Sequence, residues 1–163
     1  MTDHVDKILE QWAERRPDLD ASPMAVCGRL TRLARLVTAE QGKTFAAHGL
    51  DRSSFDVLAT LRRAGDPHLT PAELMRAAMV TSGAISQRLD RLEERGLVTR
   101  TAAQDDRRVV EVALTGEGRD LIDRALPDHL ATEERLLAAL PENGRTELAA
   151  TLKLLLESLG DTV

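Results

Sequence analysis

Apolar residues recur at helical spacing along most of the chain, and the breaks between those runs mark out its elements. Val5, Ile8, Leu9 and Trp12 stand at i, i+3, i+4 and i+7, which predicts a short helix over 3–14 that ends at Arg16, Pro17 and Asp18. Ser22 followed by Pro23 is an N-cap and first-turn signal. The helix it opens carries Val26, Leu30, Leu33, Ala34 and Val37 on one stripe and runs towards Phe45 until Gly49 stops it. Phe55, Leu58 and Leu61 predict another helix over 52–64, followed by a turn at Gly65, Asp66 and Pro67. Thr70, Pro71, Ala72 and Glu73 form a capping box with proline in the first turn, opening a short helix through Met79. Thr81 and Ser82 cap the next helix, whose inward side is Ile85, Leu89 and Leu92 and which Gly96 ends.

The period then changes. Leu97, Val98, Thr99 and Arg100 read as a strand, and the β-branched run from Val109 to Leu114 as its partner, with a charged tip between them. Two short helices joined by a tight turn, the second bearing arginines, followed by a hairpin, amount to a winged helix-turn-helix. Two further helices are predicted over 117–139 and 142–159, the last rich in leucine. The expected fold is mainly α with one small β-hairpin wing. An extra N-terminal helix occupies 1–20, a helical dimerisation region 21–50 and 116–160, and the winged helix-turn-helix domain 51–115. The flanking helices carry more apolar surface than so small a module can cover, which points to a homodimer, although packing of the two ends on each other would also bury it. Two reading helices one DNA turn apart would suit a palindrome.

Composition alters this picture at two points. The 163 residues carry a net charge of −5, which argues against a DNA-binding protein until its distribution is examined. Residues 60–108 hold nine arginines and seven acidic residues, a balance of +2, so the flanks carry −7. Every base in the middle segment is arginine, the residue suited to bidentate contact with phosphate and guanine edges. Aromatic residues are only 2%, with a single Trp and no Tyr, which argues against modules that stack single-stranded bases. No apolar run approaches the length of a membrane span and the acidic N-terminus is unlike a signal peptide, so a cytoplasmic protein without membrane contact is expected.

The polar side of the proposed reading helix presents Ser82, Ser86, Gln87 and Arg91, whose hydroxyl, amide and guanidinium groups can meet phosphates and base edges of double-stranded DNA in the major groove. At the wing tip Arg108 would enter the minor groove, with Asp106 orienting it and Arg107 on a phosphate. A solvated helix face and a hairpin tip kept soluble by its charges are the plainer readings of the same residues.

The segments GLDRSSFDVLATLRRAG (49–65), LTPAELMRAAMVTSGAISQRLDRLEERGLV (69–98) and DDRRVVEVALTGEG (105–118) resemble the MarR family of bacterial transcription regulators. The most specific part of the likeness is Asp106, Arg108, Leu114 and Thr115. The extra N-terminal helix with Trp12, together with Phe55 to Leu58 and Val80 to Gly83, is similar to the urate-responsive branch, whose members respond to urate and in some cases to citrate and aconitate. The resemblance implies a repressor released from a palindromic operator by a small anionic effector. It carries four effector residues over to Trp12, Asp56, Arg88 and Arg100. Arg88 lies on the reading helix itself, so an anion acting on it would move that helix. Trp12 as a hydrophobic anchor and Asp56 in a buried ion pair are the structural alternatives.

Some relatives in this family sense peroxide through a cysteine near the start of the long helix, where Cys27 falls; they also use tyrosines, and this chain has none. Cys27 lies among Met24, Ala25, Val26 and Leu30, so an inert core thiol is expected, with oxidant sensing as the alternative. His4, His48, His68 and His129 lack metal-ligand spacing, and His129 falls on the apolar side of its helix. No phosphate loop, nucleophile elbow or carboxylate pair stands out. Neither an enzyme, a metal nor a cofactor is expected.

Overall fold

The computed structural model describes residues 1–64, 67–77, 85–103, 106 and 108–161. Among them are seven helices and one hairpin: α1 (His4–Arg15), α2 (Pro23–Ala47), α3 (Arg52–Arg63), α4 (Pro71–Ala77), α5 (Ile85–Glu94), β1 (Val98–Ala102), β2 (Val110–Leu114), α6 (Gly116–Leu136) and α7 (Glu142–Ser158). The mainly helical chain with a single antiparallel hairpin is the expected fold class. The predicted turn at Gly65 and Asp66 and the cap at Thr81 and Ser82 lie outside the described residues. The chain divides into two compact units, Met1–Lys43 and Thr44–Val163.

In the first unit, Asp3 caps α1 and accepts from the backbone N–H groups of Val5 at 2.7 Å and Asp6 at 2.9 Å, while Asp6 reaches back to the Asp3 N–H. Arg29 of α2 then bonds both carboxylates, Asp3 at 2.8 Å and Asp6 at 2.6 Å, so the two groups that cap α1 also fasten it to α2. Val5 is the buried member of the α1 stripe, and it rests against Gly28, where a Cβ would stand 3.3 Å from the valine methyl. Ile8 and Trp12 remain partly exposed, as do Val26, Leu30, Leu33 and Leu36 along α2. Cys27 departs from expectation: it is exposed and lines an open groove with Val5, Ile8, Met24 and Thr31, because within this unit only α1 packs on that side of α2.

In the second unit a single core gathers Phe45 and Leu50 with the inward faces of α3 to α6 and the hairpin, including Phe55, Leu58, Leu74, Leu89, Leu92, Val112 and Ile122. Each helix contributes the apolar stripe read from its spacing. The hairpin pairs Val98 with Leu114, Arg100 with Val112 and Ala102 with Val110. A third segment, invisible in the periodicity, adds to it: Leu69 and Val112 exchange both backbone hydrogen bonds, at 3.0 and 2.8 Å, anchoring the start of α4 to the sheet. Gly96, with φ of 71°, turns the chain from α5 into β1. The Thr115 hydroxyl donates to the Gly96 carbonyl and accepts from the Gly118 N–H, which starts α6 against that corner. α7 contributes no buried residue, and Leu148, Leu154, Leu155, Leu156 and Leu159 are exposed.

Candidate nucleic-acid interface and effector residues

α4 begins as its sequence dictates. Thr70 and Glu73 bond reciprocally, the Glu73 carboxylate accepting from the Thr70 N–H at 2.8 Å and the Thr70 hydroxyl from the Glu73 N–H at 3.2 Å. α5 turns Ile85, Leu89 and Leu92 into the core and leaves Ser86, Gln87, Asp90, Arg91 and Glu94 in solvent. The three described polar candidates of the reading helix, Ser86, Gln87 and Arg91, are thus exposed on the side away from the core. Ser82 and Arg107 lie outside the described residues.

The other two arginines of this segment do different work. Arg88 is largely buried and donates through Nη1 to the Asp51 carboxylate, with the Ser54 hydroxyl at 3.3 Å. Its Nε is buried and has no hydrogen-bond partner. Arg95, two turns on, donates to the Gly49 carbonyl at 2.9 Å. Together they tie the two ends of α5 to the corner between α2 and α3. Partial burial pushes the Asp51 carboxyl up, but Ser54, through its N–H and hydroxyl, and Arg88 outweigh it and hold the group below its ordinary range.

Arg100 of β1 is gripped from α5. Its side chain meets Glu93 at 2.9 and 2.5 Å and Asp90 at 2.7 Å, and its N–H donates to Glu93 at 3.0 Å. The hydrogen bonds from Arg100 lower the Glu93 carboxyl below its usual range. At the wing, Asp106 accepts from the Arg108 N–H at 3.0 Å with the guanidinium Nε 3.9 Å away, and the Arg108 side chain is 95% exposed. That local turn projects the guanidinium outward.

Asp56 is half-buried on α3 with Arg52 3.8 Å away, and its Oδ2, itself buried, accepts no hydrogen bond. Burial pushes its carboxyl up, while Arg52, Arg63 and His129 pull less strongly the other way. His129 packs on both phenylalanines, 5.3 Å from Phe45 and 4.8 Å from Phe55 between ring centres, as its place on the apolar side of α6 predicts. Of the four residues assigned to the effector, Asp56, Arg88 and Arg100 belong to the second unit, each on separate partners, and Trp12 to the first, where it is 41% exposed. Asp51 and Arg95 escaped the sequence reading. Asp51 carries a legible signal, an N-cap three residues before Ser54, whereas nothing local marks Arg95 as a partner of Gly49.

No group of three or more metal-ligating side chains occurs among the described residues, and no described helix is long and apolar enough to cross a membrane. The MarR family model matches residues 48–109, which span α3 to the wing. The transcriptional regulator PecS of Dickeya dadantii is 40% identical over 149 residues, covering 91% of this chain and 90% of that one. Among solved structures, AbsC, a MarR family regulator from Streptomyces coelicolor, superposes with a TM-score of 0.79 at 25% identity over 88% of this chain and 98% of its own. A point mutant of MarR from E. coli complexed with operator DNA superposes with a TM-score of 0.73 at 26% identity, over 85% of this chain and 99% of its own. With a reading helix pinned by two arginines, a wing presenting a third and a regulator of this kind aligned along nearly its whole length, the chain belongs to the MarR family of DNA-binding transcriptional regulators.

Proposed function

We propose that the protein is a cytoplasmic, homodimeric repressor that holds a palindromic operator and releases it when a small anion of the urate, citrate or aconitate type binds. The observation that carries this reading is the position of Arg88. It sits on the reading helix, yet its charge is directed to Asp51 at the head of α3. An anion that takes Arg88 from Asp51 changes how α5 is held, and differential affinity for the two arrangements couples ligand to DNA. Arg100, held by Asp90 and Glu93 of the same helix, is taken as the second effector cation, with Asp56 and Trp12 as the remaining effector residues, on the family resemblance alone. In this reading Ser82, Ser86, Gln87 and Arg91 face the major groove. Arg108, oriented by Asp106, enters the minor groove and Arg107 meets a phosphate.

The exposed leucines of α2 in the first unit and of α7 in the second support the dimer, since neither unit covers its own stripe. Oxidant sensing through Cys27 is not favoured: the thiol is exposed, but the groove it lines is walled mainly by Val5, Ile8 and Met24 and the chain has no tyrosine to engage it.

Trp12, the only tryptophan, makes the test direct. Titration with urate, citrate and aconitate should quench its fluorescence, and the quenching ligand should release the protein from its operator at similar concentrations. Arg88→Gln, which loses the Asp51 ion pair along with the cation for the anion, should bind the operator more weakly than the parent and no longer respond to the anion. A panel of these anions that neither quenches nor releases would overturn the proposal.

A further inference from the structure

Arg95 follows Arg88 by about two turns of helix, so the two leave one side of the reading helix about 10 Å apart along its axis. Both reach the same short segment: Arg88 bonds the Asp51 carboxylate, and Arg95 Nη1 donates to the Gly49 carbonyl at 2.9 Å. One tether would leave the helix free to swing about it. Two at that spacing fix its direction as well as its position. The segment they reach is itself firmly held. Gly49, with φ of 66°, turns the chain out of α2, and the Gly49 and Leu50 N–H groups donate to the Ala46 and Phe45 carbonyls, each at 2.9 Å. Phe45 and Leu50 are buried, and Phe45 stacks on Phe55 with 4.4 Å between ring centres. Beside Gly49, His48 bonds the Asp128 carboxylate of α6 through Nε2 at 2.8 Å, and the Thr44 and Thr132 hydroxyls bond each other at 2.7 Å. α6 lies within 116–160, the stretch expected to dimerise. Residues 48–51 thus carry the reading helix on one side and α6 on the other.

We propose that Arg95 is a positioning residue that determines which half-site spacing the protein accepts. By fixing the C-terminal end of the reading helix to Gly49, it sets the direction of α5 relative to α6, and so the separation at which the two reading helices of a dimer meet their half-sites. Asp128 supports it from the far side of the segment, through His48. The inference rests on the homodimer and the palindromic operator of the proposed function. It does not depend on the effector, which that function places on Arg88 and Arg100.

Two duplexes test this with the full-length protein. One is a palindrome selected by the parent from a random-sequence pool; the other has one base pair inserted at its centre, which moves the half-sites apart by about 3.4 Å and turns them by about 35°. The parent should prefer the first by at least roughly tenfold. Arg95→Gln should bind the selected palindrome roughly tenfold more weakly, the order of one charge-assisted hydrogen bond, and the lengthened one nearly as the parent does, so that the preference narrows. Asp128→Ala, which removes the partner of His48, should narrow it in the same direction. The double variant should narrow it no further than Arg95→Gln alone, because both act through one segment. Arg95 and Asp128 are exposed, so urea midpoints should stay near the parent's. The slope of log affinity against log salt should also be unchanged. Were Arg95 a phosphate contact instead, Arg95→Gln would weaken both duplexes equally and lower that slope by about one. That result, or a spacing preference unchanged in Arg95→Gln, would overturn the proposal alone. A parent that binds the two duplexes equally would overturn the palindrome reading and the proposal with it.

Discussion

Asp51 serves two elements with one carboxylate: Oδ1 accepts from the Ser54 N–H at 2.8 Å and caps α3, while Oδ2 takes Arg88 of the reading helix. The two roles can be separated by substitution. Asp51→Asn keeps an oxygen for the cap and loses the ion pair, whereas Asp51→Ala loses both. Loss of an N-cap costs about 0.5–2 kcal/mol. The ion pair adds little to stability, because the Asp51 side chain is 53% exposed and the charge is screened. Urea denaturation should therefore show Asp51→Ala clearly destabilised and Asp51→Asn close to the parent, while both weaken operator binding by releasing α5. The Asp51 carboxyl is lowered in the fold, so its contribution is present above its unfolded pKa and fades as pH falls through the folded one. The gap between parent and Asp51→Ala should accordingly narrow under acid conditions.

The wing arginine gives a prediction about DNA rather than folding. Arg108 has a side chain 95% in solvent, so its removal leaves the core untouched. Arg108→Ala should weaken duplex binding by about 1–3 kcal/mol at fixed salt, as expected for one well-placed groove contact. Asp106→Ala retains the guanidinium but removes the acceptor for the Arg108 N–H, so a smaller loss is expected. Fluorescence anisotropy with a labelled operator measures both, and an Arg108→Ala protein that binds like the parent would remove the wing contact from the model of recognition.

The elements that bury an apolar stripe were legible in the sequence because periodicity reports which face a helix turns inward. Ile85, Leu89 and Leu92 show this on α5, and the capping box of Thr70 and Glu73 formed because its two partners are local. Relationships across the chain were not legible. The Leu69–Val112 bridge, the Arg95–Gly49 tie and the capture of Arg100 by Asp90 and Glu93 join residues whose proximity depends on the packed core. Cys27 was misread for a related reason: it lies beside α1, but within its unit α1 alone borders that side of α2 and leaves an open groove. Among the candidate site residues, those pointing outward, such as Gln87 and Arg91, followed from the helix period, while the partners of Arg88 and Asp56 required the fold.

Asp56 should make the protein sensitive to pH in the direction opposite to Asp51. Burial raises its carboxyl, so ionisation is less favourable in the folded state than in the unfolded one. Such a group favours the fold below its unfolded pKa and loses that advantage as pH rises through the folded value. Asp56→Asn keeps the shape without the charge. It should melt at a higher temperature than the parent at neutral pH, with the difference disappearing below about pH 4, where both side chains are neutral. A parent that outlasts Asp56→Asn at neutral pH would show that Arg52 and its neighbours more than offset the burial.

Gly118 tests the corner from which both the reading helix and the wing are hung. A Cβ there would stand 1.9 Å from the Leu97 carbonyl oxygen and 2.9 Å from its carbon, and neither backbone atom can swing aside as a side-chain tip could. That carbonyl already accepts the Thr115 N–H at 3.1 Å, and Thr115 in turn bonds Gly96 and Gly118, so relieving the clash displaces the start of α6 from the α5–β1 turn. Gly118→Ala should cost at least about 1–3 kcal/mol, the usual range for overpacking against a rigid wall. Two residues earlier, a Cβ on Gly116 meets nothing within 4 Å, so Gly116→Ala should be neutral or gain up to about 1 kcal/mol from the helix preference of alanine. Chemical denaturation of the pair checks this contrast. Operator affinity adds a second reading: the clash acts on the turn that sets the angle between α5 and the wing, so Gly118→Ala should lose DNA binding under conditions where most of the protein is still folded, whereas Gly116→Ala should bind as the parent does.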